Sequence, residues 1–231
     1  VDEAGNVQKR KYQKLKKGIE VRKDVEFALV TNTASVAGNT RFFGSLPSWI
    51  TTNASRGGGG SDGGFSAGSG LTVAETTGTQ RAFTKVIMDD VMQQGYNSGA
   101  NFNSFVCSPY VKSVFVTFMS DANVAEFRYS AEKGMKNTII SNADVYEGPF
   151  GKIMVKPDRV MAASAAVARR GFFIDTEYMA MKTLDPIQED PDVAKTGDAD
   201  KGVIIGEMTL AVKNEAGLGV AADLFGLTAS T

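Results

Sequence analysis

A chain of 231 residues, 42% of them hydrophobic, can close one large domain or two modest ones around a real core. Its 25 Lys and Arg against 26 Asp and Glu leave a net charge of −1, so no global field draws it onto nucleic acid or an anionic membrane, and any basic function is local. The absence of histidine excludes Ser-His-Asp and Cys-His chemistry and most zinc sites, because imidazole is the usual base near neutral pH and the commonest transition-metal ligand.

A single cysteine, Cys107, excludes an internal disulfide framework, and its neighbours Phe105 and Val106 predict a buried thiol. No apolar run reaches the 18 residues that span a bilayer, so no membrane partner is expected. Val1-Asp2-Glu3 does not open a secretory leader, and without an initiator Met the chain is expected to be trimmed from a longer one. The sequon Asn53-Ala54-Ser55 then reads as chance.

Residues 8–30 contain no proline and place Tyr12, Leu15, Ile19, Val25 and Leu29 near helical spacing, predicting one helix of five or six turns with an apolar stripe. Eight of the fifteen residues from Lys9 to Lys23 are Lys or Arg, and Lys16/Glu20 and Arg22/Glu26 stand four apart as expected ion pairs. Gly18 is a weak point inside the helix and leaves room for another backbone to approach. The segment 44–50 holds the only tryptophan, Trp49, beside Pro47 and reads as an anchored loop. The glycine-rich run 56–70 reads as a flexible loop, since no Lys-Ser or Lys-Thr closes a phosphate-binding frame.

Residues 79–95 predict an amphipathic helix on Phe83, Val86, Ile87, Val91 and Met92, stopped at Gly95. Residues 101–107 read as a short buried strand. Ser108-Pro109 is a helix start, with Val111, Val114, Phe115, Phe118 and Met119 on its apolar face. From Ile139 onward the texture turns to strands. Residues 144–156 read as a hairpin, 172–179 as a strand, 184–201 as an acidic loop, 203–213 as a long strand, and 217–227 as a short apolar one. Carboxylate pairs at Asp89-Asp90, Asp190/Asp192 and Asp198/Asp200 read as solvent-exposed, because no calcium-loop frame surrounds them. No nucleophile elbow or dinucleotide fingerprint is present, so neither catalysis nor a cofactor is expected.

Three stretches, taken in order, carry a resemblance. They are Gly44-Ser45-Leu46-Pro47-Ser48-Trp49-Ile50-Thr51-Thr52-Asn53 before the glycine-rich loop; Asp144-Val145-Tyr146-Glu147-Gly148-Pro149-Phe150-Gly151 leading to 155–159; and Lys195-Thr196-Gly197-Asp198 followed by 206–216. Together they resemble the major capsid, or major head, proteins of tailed bacteriophages, of the SU10 type. The resemblance implies an α+β chain with the HK97-like capsid fold: a long spine helix, a peripheral-domain β-sheet and a mixed α/β axial domain.

On that resemblance residues 1–34 are the spine helix and 35–171 the axial domain. Residues 172–217 are the peripheral strands with their tip loop, and 218–231 a closing strand of the axial domain. The arm and extended loop that precede the spine helix in that family are not in this sequence, and with them goes any cross-linking lysine. The implied function is a structural virion subunit that tiles as hexamers and pentamers into a shell around double-stranded DNA, made in the bacterial host cytoplasm. Further implied partners are the packaged DNA and scaffolding, portal or decoration proteins. Lys9, Lys16, Lys17 and Arg22 of the helix, Trp49, and Asp190, Asp192, Asp198 and Asp200 of the acidic loop are the expected subunit-interface residues, since the two segments carry opposite charge. The alternative is a nucleic-acid-binding protein that uses residues 9–23 on phosphates.

Overall fold

The computed structural model of the chain describes residues 7–118, 144–190, 193 and 202–229, with side chains from Lys11 onward. Met119, residues 139–143 and most of the expected acidic loop, including Asp192, Asp198 and Asp200, lie outside the described residues.

Helix α1 (Val7–Val30) matches the predicted span. Its apolar stripe divides in two. Val30 is buried, and Phe27 and Leu29 pack beside it on Leu46, Ile50 and Met161. Tyr12, Leu15 and Ile19 are instead 56%, 65% and 46% exposed, because only the C-terminal half of α1 lies on the body of the fold.

That body is a six-stranded mixed sheet in the order β1 (Ala54–Ser55), β11 (Leu218–Ala221), β8 (Gly171–Ile174), β5 (Ser104–Cys107), β7 (Gly151–Pro157), β6 (Val145–Gly148). Strand alternation sends neighbouring side chains to opposite faces. Phe173 and Phe105 join a cluster with Phe83, Val91 and Phe115, under helices α3 (Lys85–Asn97) and α4 (Pro109–Thr117). Phe172, Leu218 and Val220 turn to the other face, where Val30 and helix α2 (Leu46–Trp49) meet Met161 and Val167. Each of these fully buried phenylalanines contributes about 1.5–3 kcal/mol of transfer free energy.

Several predicted elements take a different form. The glycine-rich run folds into turns and a small antiparallel pair, β2 (Gly64–Ser66) with β3 (Leu71–Val73), and is not an open loop. Gly57 makes this compaction possible, since a Cβ there would collide with the Thr79 carbonyl. Residues 79–84 are not helical: β4 (Arg81–Ala82) pairs in parallel with β12 (Leu224–Gly226), and Arg81 N–H and Phe83 N–H donate to the carbonyls of Asp223 and Gly226. Helix α3 therefore starts at Lys85, leaving Val86 74% exposed, and it runs past Gly95, where a Cβ would collide with the Phe102 ring. The turn that ends it carries Gly99 at φ 80°.

The helix start at Ser108 holds: its Oγ accepts from Val111 N–H at 3.2 Å. The 144–156 hairpin also holds, as β6 and β7 joined at Gly148 and Gly151. The strand expected over 172–179 breaks at Asp175, whose carboxylate accepts from Glu177 N–H in a tight turn. Beyond the turn, β9 (Met179–Glu189) pairs antiparallel with β10 (Ile204–Val212) as a separate two-stranded ribbon. The acidic loop thus begins six residues later than its composition implies, because β10 supplies a ladder partner up to Glu189. The final strand splits into β11 and β12 at Asp223, a non-glycine residue at φ 61°, whose carboxylate accepts from the N–H groups of Gly57 and Gly78.

Candidate functional site

Two places concentrate the charged side chains of the described residues. The first is the arm formed by α1 and the β9–β10 ribbon. Lys14 Nζ on α1 donates to Glu189 at the end of β9, so the basic helix and the start of the acidic segment meet within one chain. Lys9 lies in the first turns of α1. Lys16 is exposed, with its ammonium 4.6 Å from the centre of the Tyr12 ring rather than on Glu20. Glu20 pairs with Lys17 at 2.6 Å. That pair is exposed on both sides, so it contributes little to stability.

Arg22 is exposed and does not pair with Glu26. Glu26 faces Asp158 instead, and partial burial together with that neighbouring carboxylate holds its carboxyl above the usual range. Between the N-terminal half of α1 and the ribbon tip runs a groove of about 260 Å³, with Leu15, Gly18, Ile19, Ile187 and Ile204 as its apolar lining and Arg22, Gln188 and the Lys14–Glu189 pair as its polar lining. Asp190 stands at the ribbon end, half-buried, with its N–H donating to the Val203 carbonyl at 2.9 Å.

The second is a buried ionic joint that sequence reasoning missed. Glu75, with its side chain 1% exposed, accepts from Arg56 on one oxygen and Arg170 on the other. Arg56 also donates to Asp62 at 2.5 Å, and Arg170 to the Ala166 carbonyl at 2.9 Å. The Asn32 side chain, just beyond α1, clamps the Glu75 backbone, donating to its carbonyl at 2.8 Å and accepting its N–H at 3.0 Å. Glu75 therefore ties three segments together: its backbone holds the helix exit, and its carboxylate holds the glycine-rich turns and the residue before β8. Only the glycine-rich run beside Arg56 offered a hint, since the partners are 19 and 95 residues apart.

Trp49 is half-buried beside the cluster of Val30, Leu46 and Ile50, stacked on Phe65 at 5.7 Å between ring centres, and its Nε1 donates to the Gly44 carbonyl. The anchored reading of 44–50 holds, with a short helical turn added.

The isolated titratable groups are structural in character. Burial pushes the Cys107 thiol up to about 12, the opposite of an activated nucleophile. Burial and the Asp89 carboxylate push the Tyr146 phenol up to about 12. The Tyr146 hydroxyl donates to Asp89, which Lys85 also engages at 2.6 Å, so Asp89 and Asp90 are half-buried rather than freely solvated. Among the described residues no group of three or more Cys, Asp or Glu is placed to hold a metal ion, and no helix is long and apolar enough to cross a membrane.

A mixed α+β body carrying a long helix and a projecting ribbon is compatible with a capsid protein, a class that works through its outer surfaces. Residues 1–225 match the family described as SU10 major capsid protein, and the chain belongs to that family. Among curated proteins none matches it. The chain is a structural subunit of a bacteriophage capsid, and its place is the virion.

Proposed function

We propose that the chain adopts the HK97-like fold and assembles as hexamers and pentamers into an icosahedral head that encloses double-stranded DNA. The observation that carries this reading is the family match over residues 1–225. The geometry supports it in outline. Helix α1 is the spine, and the β9–β10 ribbon with its acidic end is the peripheral domain. The six-stranded sheet with α3 and α4 is the axial domain, to which β8 and the closing strands β11 and β12 belong. In this reading the peripheral strands begin near Met179 and not at 172, because Gly171–Ile174 pairs inside the axial sheet.

Subunits meet through modest contacts repeated by symmetry. Lys9, Lys16, Lys17 and Arg22 on one copy face acidic residues of a neighbour, with Asp190, Asp192, Asp198 and Asp200 as the candidates, and Trp49 stiffens the corner next to the spine. Lys14 and Glu189 are already partners within a chain, so cross-subunit pairing falls to the remaining charges. Assembly takes place in the bacterial host cytoplasm, with scaffolding, portal or decoration proteins as further partners. Contact of the basic helix with packaged DNA is a secondary role.

The test is negative-stain microscopy of bacteria expressing the full-length coding sequence. Particles are expected, and the triple charge reversal Lys16→Glu, Lys17→Glu, Arg22→Glu is expected to abolish or malform them. Normal particles from the triple variant would remove the helix from the interface. A steep, salt-dependent DNA mobility shift without particles would favour the nucleic-acid-binding alternative.

A further inference from the structure

The groove between α1 and the ribbon tip is open on one side. Lys11, Leu15, Gly18 and Arg22 recur at i, i+4, i+7 and i+11 and so share one helix face. A Cβ placed on Gly18 would meet nothing within 4 Å. The residues along the groove are apolar in the middle, at Leu15, Ile19, Ile187 and Ile204. Arg22 at one end is exposed and forms no ion pair among the described residues. The Lys14–Glu189 pair in the same lining is internally neutralised, so the groove offers an apolar slot whose remaining cation is Arg22.

The same ribbon carries a matching projection. Leu184, at the register shift of β9, is 80% exposed, the highest value among the large apolar side chains described. Asp185 directly follows it and stands opposite Glu207 across the ladder. Like charges directly opposite are destabilising unless a cation relieves them, and neither carboxylate has an ion-pair partner among the described residues. Gln188 gives Asp185 a single neutral hydrogen bond at 3.1 Å. Lys182, nearer the ribbon base, stands opposite Thr209. A two-stranded ribbon of this kind is marginal in water unless something covers it. The next most exposed apolar side chain, Val86 at 74%, has Lys85 beside it, which a cationic slot would repel.

We infer that Leu184 of a second copy of the chain enters the groove between α1 and the ribbon tip, with that copy's Asp185 and Glu207 facing Arg22. The contact rests on the reading of the chain as a shell subunit and gives that reading a specific joint, in which Arg22 takes Asp185 and Glu207 while the tip-loop acids are left to Lys9, Lys16 and Lys17. Each copy carries both a knob and a slot, so every subunit can give and receive the same contact. Gly18 serves to keep the slot deep enough for a leucine.

The test uses disulfide trapping, with Cys107 silent because it is fully buried. Full-length chains carrying Gly18→Cys are mixed with chains carrying Leu184→Cys under oxidised glutathione. The expected result is a covalent dimer of the two different chains, absent when either is mixed with parent chain. In parallel, Leu184→Asp is expected to lower the sedimenting oligomer fraction at least tenfold while leaving the melting temperature of the subunit unchanged. Oligomers that form without the Gly18→Cys to Leu184→Cys link overturn the joint and leave the shell reading standing. A link to Val86→Cys in place of Leu184→Cys also overturns it. Chains that stay monomeric at every concentration and never link overturn both.

Discussion

Glu75 is surrounded by two guanidinium groups and is nearly inaccessible, so its neutralisation leaves buried Arg170 without an ion-pair partner among the described residues and Arg56 with Asp62 alone. Glu75→Gln is expected to cost about 3–5 kcal/mol, read from chemical denaturation midpoints, the size typical of breaking a buried pair on one side. Glu26 presents the opposite case. Its folded carboxyl holds its proton more tightly than the unfolded one, so the ionised form is penalised at neutral pH and the penalty is relieved as pH falls through the carboxylate range. Glu26→Gln should then melt higher than the parent at pH 7, with the gap closing at acid pH. Cys107 should resist a thiol reagent at pH 8 in the folded chain and react at once in denaturant. The burial of Cys107 was legible from its neighbours alone. The Glu75 joint was not, because its three members come from separate segments and no local pattern marks them.

At the scale of elements, the sequence carried start signals and periods well. Ser108-Pro109 placed the N-terminus of α4, and replacing Ser108 with Ala should cost about 1–2 kcal/mol by thermal melt, since the hydroxyl caps Val111 N–H and also donates to the Ala168 carbonyl. The period of α1 was equally plain, but a period tells which side chains are apolar and not what covers them. Tyr12, Leu15 and Ile19 look like core in sequence and are exposed in the single chain. Gly18→Ala should therefore raise the thermal midpoint of the isolated subunit by an amount equivalent to up to about 1 kcal/mol, because the new methyl group meets no neighbour. Pro186 and the acids around it read as loop, yet they continue β9 because pairing to β10 outweighs local propensity. The residues from 79 to 84 went the other way, from expected helix to an extended segment with a two-residue strand at Arg81–Ala82, for the same reason.

At the scale of the whole molecule, order along the sheet was beyond reach of the sequence: β1 and β11 are parallel neighbours although their paired residues, Ala54 and Val220, stand far apart in the chain. The last strands were readable as apolar, but the place of β11 between β1 and β8, and of β12 beside β4, was not. Truncation after Gly217 should consequently abolish the cooperative thermal transition, whereas removal of residues 228–231 should leave it intact, as near-ultraviolet circular dichroism would report.

That placement also governs timing. The sheet cannot close until β11 has left the ribosome, because β1 and β8 both wait for it. A prematurely released chain therefore cannot complete the body that carries the arm. Synthesis of Leu218–Ala221 is thus the step on which closure of the sheet waits, and a chain halted before it exposes the unpaired edges of β1 and β8.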